Sequence, residues 1–193
     1  ILKIIGKRST FPPLGLLTIS SMLPDNYEKK LLDLNFHTLS DEDLDWADII
    51  FVSAMIIQKD SVNYVLENAK KFNKTVVAGG PLFTTGWENY KDVDCLFLGE
   101  AEDIFDDFLI DLDKGELKKK YVAEKFPDIS KTPSPDWSII DISKYNSMSI
   151  QHSRGCPFNC EFCDIVKLNG RIPRTKSSGQ LIKELDSLKM SGY

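Results

Sequence analysis

The sequence has 193 residues, 42% of them hydrophobic, enough for one or two domains with a core of their own. A formal net charge of −5 leaves no footprint for a nucleic-acid backbone, and the one short basic stretch, Arg171 to Lys176, reads as a solvated loop. No apolar run approaches a membrane span and the start does not read as a signal peptide; with three of the four cysteines clustered, a secreted disulfide framework is disfavoured and the chain reads as cytoplasmic.

Taken in order, the run Ile1 to Gly6 shows no evident first strand and no initiator Met. The chain also closes at Tyr193 directly after a helical pattern, and the expectation is a piece of a longer protein. Leu14 to Leu23 is a helix behind Phe11-Pro12-Pro13 and stops before Pro24. Tyr27 to Leu34 reads as a strand, and Asp48 to Ala54 as a central strand buried on both faces. Ser61 to Phe72 repeats Val62, Val65, Leu66 and Ala69 at helical spacing. Thr75 to Ala78 is the next strand, ending in Gly79-Gly80-Pro81, with a helix or turn around Thr85 to Tyr90. Asp94 to Leu98 follows, closed by Gly99-Glu100, with Cys95 as a buried structural thiol. Glu102 to Leu112 is an amphipathic helix, and Lys119 to Ala123 a last strand.

This alternation predicts an α/β domain with a largely parallel sheet. Pro127, Pro133 and Pro135 break both periodicities, so the division expected is a domain over 1–125, a Pro-containing linker over 126–146 and a second segment over 147–193. In the last, Ser147 to Ser153 reads as a strand leading into a cysteine loop, and Gln180 to Met190 as a helix.

That loop holds Cys156, Cys160 and Cys163 in a C-x3-C-x2-C run, close enough for one metal centre. A structural zinc site or an electron-transfer cluster wants four protein ligands, whereas three around a four-iron cube leave one iron open. Zinc with His152 as a fourth ligand is the competing reading; His37 stands alone and is given no role. Parallel sheets bind ligands at the carboxyl ends of their strands, and three such ends here are small or polar: Ser53-Ala54-Met55, Gly79-Gly80 and Gly99-Glu100. Glycine there lets backbone N–H groups approach a nucleotide closely.

The cysteine run, with Phe162 before its last Cys and Arg154-Gly155 ahead of it, resembles the cluster motif of the radical S-adenosylmethionine (SAM) enzymes. The Ser53 loop, the Gly-Gly turn 26 positions on, Phe11-Pro12-Pro13-Leu14-Gly15-Leu16 and Gly99-Glu100-Ala101-Glu102 resemble the cobalamin-binding domain that precedes many radical SAM barrels. The resemblance implies a Rossmann-like (flavodoxin-like) cobalamin-binding domain followed by the first β/α unit of a truncated radical SAM barrel. It makes Cys156, Cys160 and Cys163 ligands of a [4Fe–4S] cluster that cleaves SAM, and puts Phe162 beside the SAM adenine. Ser53, Gly79, Gly80, Gly99 and Glu100 become cobalamin contacts. No Asp-x-His-x-x-Gly run is present, so cobalt is expected to lack a protein histidine.

The reaction implied is methyl transfer to an unactivated carbon, as in hopanoid-methylase-like enzymes. Ring-forming or rearranging chemistry on the same plan, or a cobalamin-binding module without catalysis, are the alternatives; a tRNA methylthiotransferase is disfavoured by the acidic balance. The partners implied are a small-molecule or lipid-like substrate and an external electron donor of flavodoxin or ferredoxin type. With 30 residues after Cys163 and no Gly-rich SAM motif among them, the chain alone is expected to be inactive.

Overall fold

Period-two alternation puts Val76 and Ala78 on one face of strand β2 (Thr75–Gly79) and Val77 on the other, and all three are buried. The computed structural model describes residues 2, 4 and 6–193; of the opening run, Ile1, Lys3 and Ile5 lie outside it. The chain divides into two compact units: a sheet unit of Leu39–Pro127 with Gly155–Pro173, and a turn unit of Ile1–Thr38, Asp128–Arg154 and Arg174–Tyr193. Among the described residues no helix is long and apolar enough to cross a membrane.

The sheet unit contains four parallel strands in sequential order: β1 (Ile49–Ser53), β2, β3 (Cys95–Leu98) and β4 (Lys120–Val122). The register pairs Ser53 with Gly79, Ala78 with Leu96 and Phe97 with Tyr121. Helix α3 (Lys59–Lys71) buries Val62, Val65 and Ala69, and short α4 (Pro81–Gly86) buries Leu82 and Phe83. Val62, Ala69, Leu82 and Phe83 share a core with Val76, Ala78 and Leu96.

On the opposite face, α5 (Phe105–Lys114) sets Phe108 edge-on to Phe51, Phe97 and Tyr121, with centroids 5.2–5.9 Å apart. Left-handed Gly115 ends α5 and returns its N–H to the carbonyls of Asp111 and Leu112. Cys95 is fully buried, as expected, and burial, reinforced by the Asp94 charge, pushes its thiol up to about 12.

Two expectations for this unit, one strand and one helix, need adjustment. β1 is half-buried and stands at one end of the strand order, because it has one neighbouring strand where a central position would have two. The helix expected near Thr85 to Tyr90 starts earlier, at Pro81, and continues as a 3-10 turn over Trp87–Tyr90. A further helix, α2 (Asp41–Trp46), was not anticipated. Ser40 and Asp43 close a reciprocal capping box at its start, with Asp41, Glu42 and Asp43 in its first turn.

The turn unit packs Leu17 of α1 (Leu14–Met22), Leu188 of α7 (Ser178–Met190) and Trp137 around one small core. Trp137 comes from the Pro-rich stretch, which forms three 3-10 turns at Ile129–Lys131, Trp137–Ile139 and Ile142–Lys144. Each is capped by an aspartate that accepts from the backbone two residues on: Asp128 from Ser130, Asp136 from Ser138 and Asp141 from Ser143.

Tyr27 to Leu34 is not a strand. Its exposure alternates from Tyr27 to Lys30, but it has no ladder partner among the described residues. The strand expected over Ser147 to Ser153 shrinks to β5 (Ser153–Arg154), paired antiparallel with β6 (Arg174–Thr175). Lys176, just after β6, pairs with Glu184 of α7, and both side chains are buried. Gln180 of the same helix donates to the carbonyls of Ile129 and Thr132, fastening the turns.

Candidate functional site

The carboxyl ends of β1, β2 and β3 bring Ser53, Gly79, Gly80 and Gly99 to one edge of the sheet. Ser53 and Gly79 are direct cross-strand partners. Gly80 has φ +88°, and a Cβ there would lie 2.6 Å from the Ser53 hydroxyl, so both backbone conformation and space demand glycine. A Cβ on Gly79 would press on Phe97 at 3.2 Å. Gly99, at φ +99°, has the Ala123 methyl 2.9 Å from where a Cβ would stand, and its N–H donates to Thr84 Oγ1 of α4 at 3.2 Å.

The backbone is also tied across this edge, since Leu82 N donates to Ala54 O at 3.0 Å. The result is a floor of small residues kept low where side chains would otherwise rise, with one hydroxyl, from Ser53, among them. These are the features a large nucleotide-tailed cofactor such as cobalamin needs for close backbone approach, and the residues fit that group. Glu100 is buried beside them, at 9% exposure, but its carboxylate accepts from Asn169 Nδ2 at 3.4 Å.

Asn169 ends helix α6 (Ile165–Asn169), which belongs to the cysteine segment of the same unit. At the head of that segment Gly155 adopts φ +96°, and a Cβ on it would strike the Ile172 carbonyl at 2.4 Å. Cys156 N then donates to Gly170 O at 3.0 Å. Further in, Cys163 N donates to Cys160 O, and Arg171 donates to the Asn159 side chain. All three cysteines are free thiols, Cys160 exposed and the other two half-exposed.

Among the described residues no three Cys, His, Asp or Glu side chains already converge as a metal site. The donor chemistry nevertheless suits a cluster, with three accessible soft thiols on one loop. Phe162 is 93% exposed, its ring face free. Neither histidine is drawn into these groups: His152 is exposed, and His37 Nδ1 accepts from Asp33 N. The residues that sequence reading missed are Asn169, Gly170 and Phe126. The Asn169-Gly170 pair after the apolar stretch Ile165 to Leu168 was the available signal for a helix stop.

Residues 7–109 match the family model of the B12 binding domain. The chain belongs to the B12-binding domain family. Its sheet-edge glycines and Ser53 all fall within the matched residues of that domain. Among curated relatives, an uncharacterized methyltransferase, sll1242, of Synechocystis sp. is 40% identical over 100% of this chain and 36% of its own length. The hopanoid C-2 methylase of Rhodopseudomonas palustris is 38% identical over 92% of this chain and 34% of its own. The B12-binding chain thus spans about a third of the length of these relatives. The structure of the cobalamin-dependent S-adenosylmethionine radical enzyme OxsB with aqua-cobalamin bound superposes over 98% of this chain and 30% of its own, with TM-score 0.74 and 23% identity, a likeness of fold.

Proposed function

We propose that this chain is the cobalamin-binding part, and the beginning of the radical SAM part, of an enzyme that transfers a methyl group to an unactivated carbon. The observation that carries the reading is the meeting of Ser53 with Gly80 at the sheet edge of a B12-binding domain, where nothing larger than glycine fits. In this reading residues 1–125 hold cobalamin, 126–146 link, and 147–193 begin the radical SAM domain. The Ser53 hydroxyl would hydrogen-bond the cofactor's nucleotide tail, and Gly79, Gly80 and Gly99 would give that tail room to approach the backbone.

Cys156, Cys160 and Cys163 would hold a [4Fe–4S] cluster as its three protein ligands, which would leave one iron open to SAM. The exposed ring of Phe162 offers its face to the SAM adenine. When bound, the cluster supplies the electron that cleaves SAM, and cobalamin supplies the methyl carrier. A small-molecule or lipid-like substrate, an electron donor of flavodoxin or ferredoxin type and a cytoplasmic setting complete the proposal; the hopanoid methylase relative supports the substrate class.

Titration with hydroxocobalamin, followed by its visible spectrum, tests the first half. The chain should bind, Gly80→Ala should bind at least about tenfold more weakly, and the cob(II)alamin resonance should lack nitrogen splitting from a protein imidazole. No binding, or imidazole splitting, would overturn it. Anaerobic reconstitution with iron and sulfide tests the second half: cluster absorption should appear and vanish in the Cys156→Ala, Cys160→Ala, Cys163→Ala triple variant. If the wild-type chain binds cobalamin but forms no cluster, the binding module without catalysis is the better reading.

A further inference from the structure

We infer that Glu100 is a positioning residue that, with Phe126, seats the cysteine segment on the B12-binding sheet, and that the Asn169-Gly170 pair is the part seated. Resting on the reading above, this deepens it, moving Glu100 from the cofactor's contacts to the support of the cluster loop.

Four observations in the sheet unit converge on that pair. Asn169 Nδ2 donates to Glu100 Oε1 at 3.4 Å, and Glu100 is buried directly after β3. Gly170 is buried at φ +79°, and a Cβ on it would lie 2.6 Å from the Phe126 ring, which follows β4. The Gly170 N–H donates to Val166 O and so ends α6, while its carbonyl accepts from Cys156 N at 3.0 Å.

The first cysteine is therefore held by Gly170, one of the pair that leans on Glu100 and Phe126 beyond the ends of β3 and β4. A glycine at 170 is required twice over: for its positive-φ backbone and for the ring beneath it. The three thiols are not converged, so what the fold supplies is one fixed end of the loop, from which the other two cysteines can swing onto a cluster. Glu100 suits this work better than cofactor contact, because its carboxylate is turned to a donor of the cysteine segment.

Hydrogen–deuterium exchange of the chain decides the matter. Glu100→Ala and Asn169→Ala should each speed exchange across residues 165–170 about tenfold, since an exposed or unpaired end opens more readily. Glu100→Gln, which keeps the acceptor oxygen, should restore protection. Hydroxocobalamin affinity should stay within about twofold in all three, while the iron retained after reconstitution falls in the alanine variants. The inference is overturned if Glu100→Ala weakens cobalamin binding with 165–170 unchanged, or if Asn169→Ala leaves exchange there unaltered. Exchange decides it even where the wild-type chain takes up neither cofactor, a result that fells the functional reading alone.

Discussion

The two units are built by different physics. The sheet unit is held by apolar layers on both faces of alternating strands, with Phe108 of α5 touching rings from three strands on one side. The turn unit has a smaller apolar core, around Leu17, Trp137 and Leu188, and relies on directed polar contacts: three aspartate caps, the Gln180 clasp and the buried Lys176–Glu184 pair. Apolar packing is non-directional and tolerates repacking, whereas a buried polar contact has one satisfactory geometry. The difference teaches where each unit is fragile.

The largest effect is expected from emptying the aromatic cluster. Phe108→Ala removes a fully buried ring and should cost about 3–5 kcal/mol, read as a shift in the urea midpoint of the sheet unit's unfolding. Leu at the same position should recover most of that loss, because volume rather than direction is what the site asks for. If Leu were as damaging as Ala, the sheet unit would be as geometrically demanding as its neighbour and the contrast would fail.

A buried charge is the matching test in the turn unit. Glu184→Gln keeps the shape and removes the charge, leaving Lys176 buried without its counter-ion. The expected cost is about 3 kcal/mol, since breaking one partner of a buried pair strands the other. Replacing both, as Lys176→Met with Glu184→Leu, should restore stability to within about 1 kcal/mol of wild type. Hydrogen exchange should place the single-variant loss on α7 and β6. A double variant no better than the single would mean the pair contributes through its charges, and the sharpened contrast would be lost.

How much could be seen in advance follows from the same contrast. Period two and period 3.6 are the signatures of apolar faces, and they located β1 to β4, α3, α5 and the helix starting with Leu14 to within a few residues. They say nothing of Asp128, Asp136 and Asp141, whose Asp-x-Ser spacing is legible once turns are sought but carries no hydrophobic signal. Tyr27 to Leu34 misled for a related reason: alternation describes one strand, while a strand exists only with a partner to bond. At the site, the cysteine spacing and the strand-end glycines were plain because chemistry restricts residue type there. The seat of Asn169 and Gly170 on Glu100 and Phe126 was not, because it joins positions as much as 69 apart whose types are common anywhere.

The smallest expected effect comes from the caps and is read through pH. Burial raises the Asp136 carboxyl, but hydrogen bonds from Ser138 and Ser20, with Lys29 nearby at 3.7 Å, outweigh it and hold the group below its ordinary value. Asp128 and Asp141 are lowered too, chiefly by their hydrogen bonds from Ser130 and Ser143. A carboxyl lowered on folding stabilises the fold at pH values above its unfolded value of about 3.9, and that contribution fades as pH falls through the folded value. The turn unit should therefore loosen in acid before the sheet unit does, with exchange at 128–145 rising as pH drops from about 6 to about 3, after correction for intrinsic rates. Asp136→Asn keeps one oxygen that can accept from Ser138, gives up the second that accepts from Ser20, and cannot titrate, so it should flatten that dependence around 136–139 and leave the acid response at Asp128 and Asp141 intact. If the sheet unit loosened first, through Asp111, whose carboxyl is held low by Lys118 and Tyr121 beside the aromatic core, then directed caps would not be what holds the turns, and the small core around Trp137 would have to carry them alone.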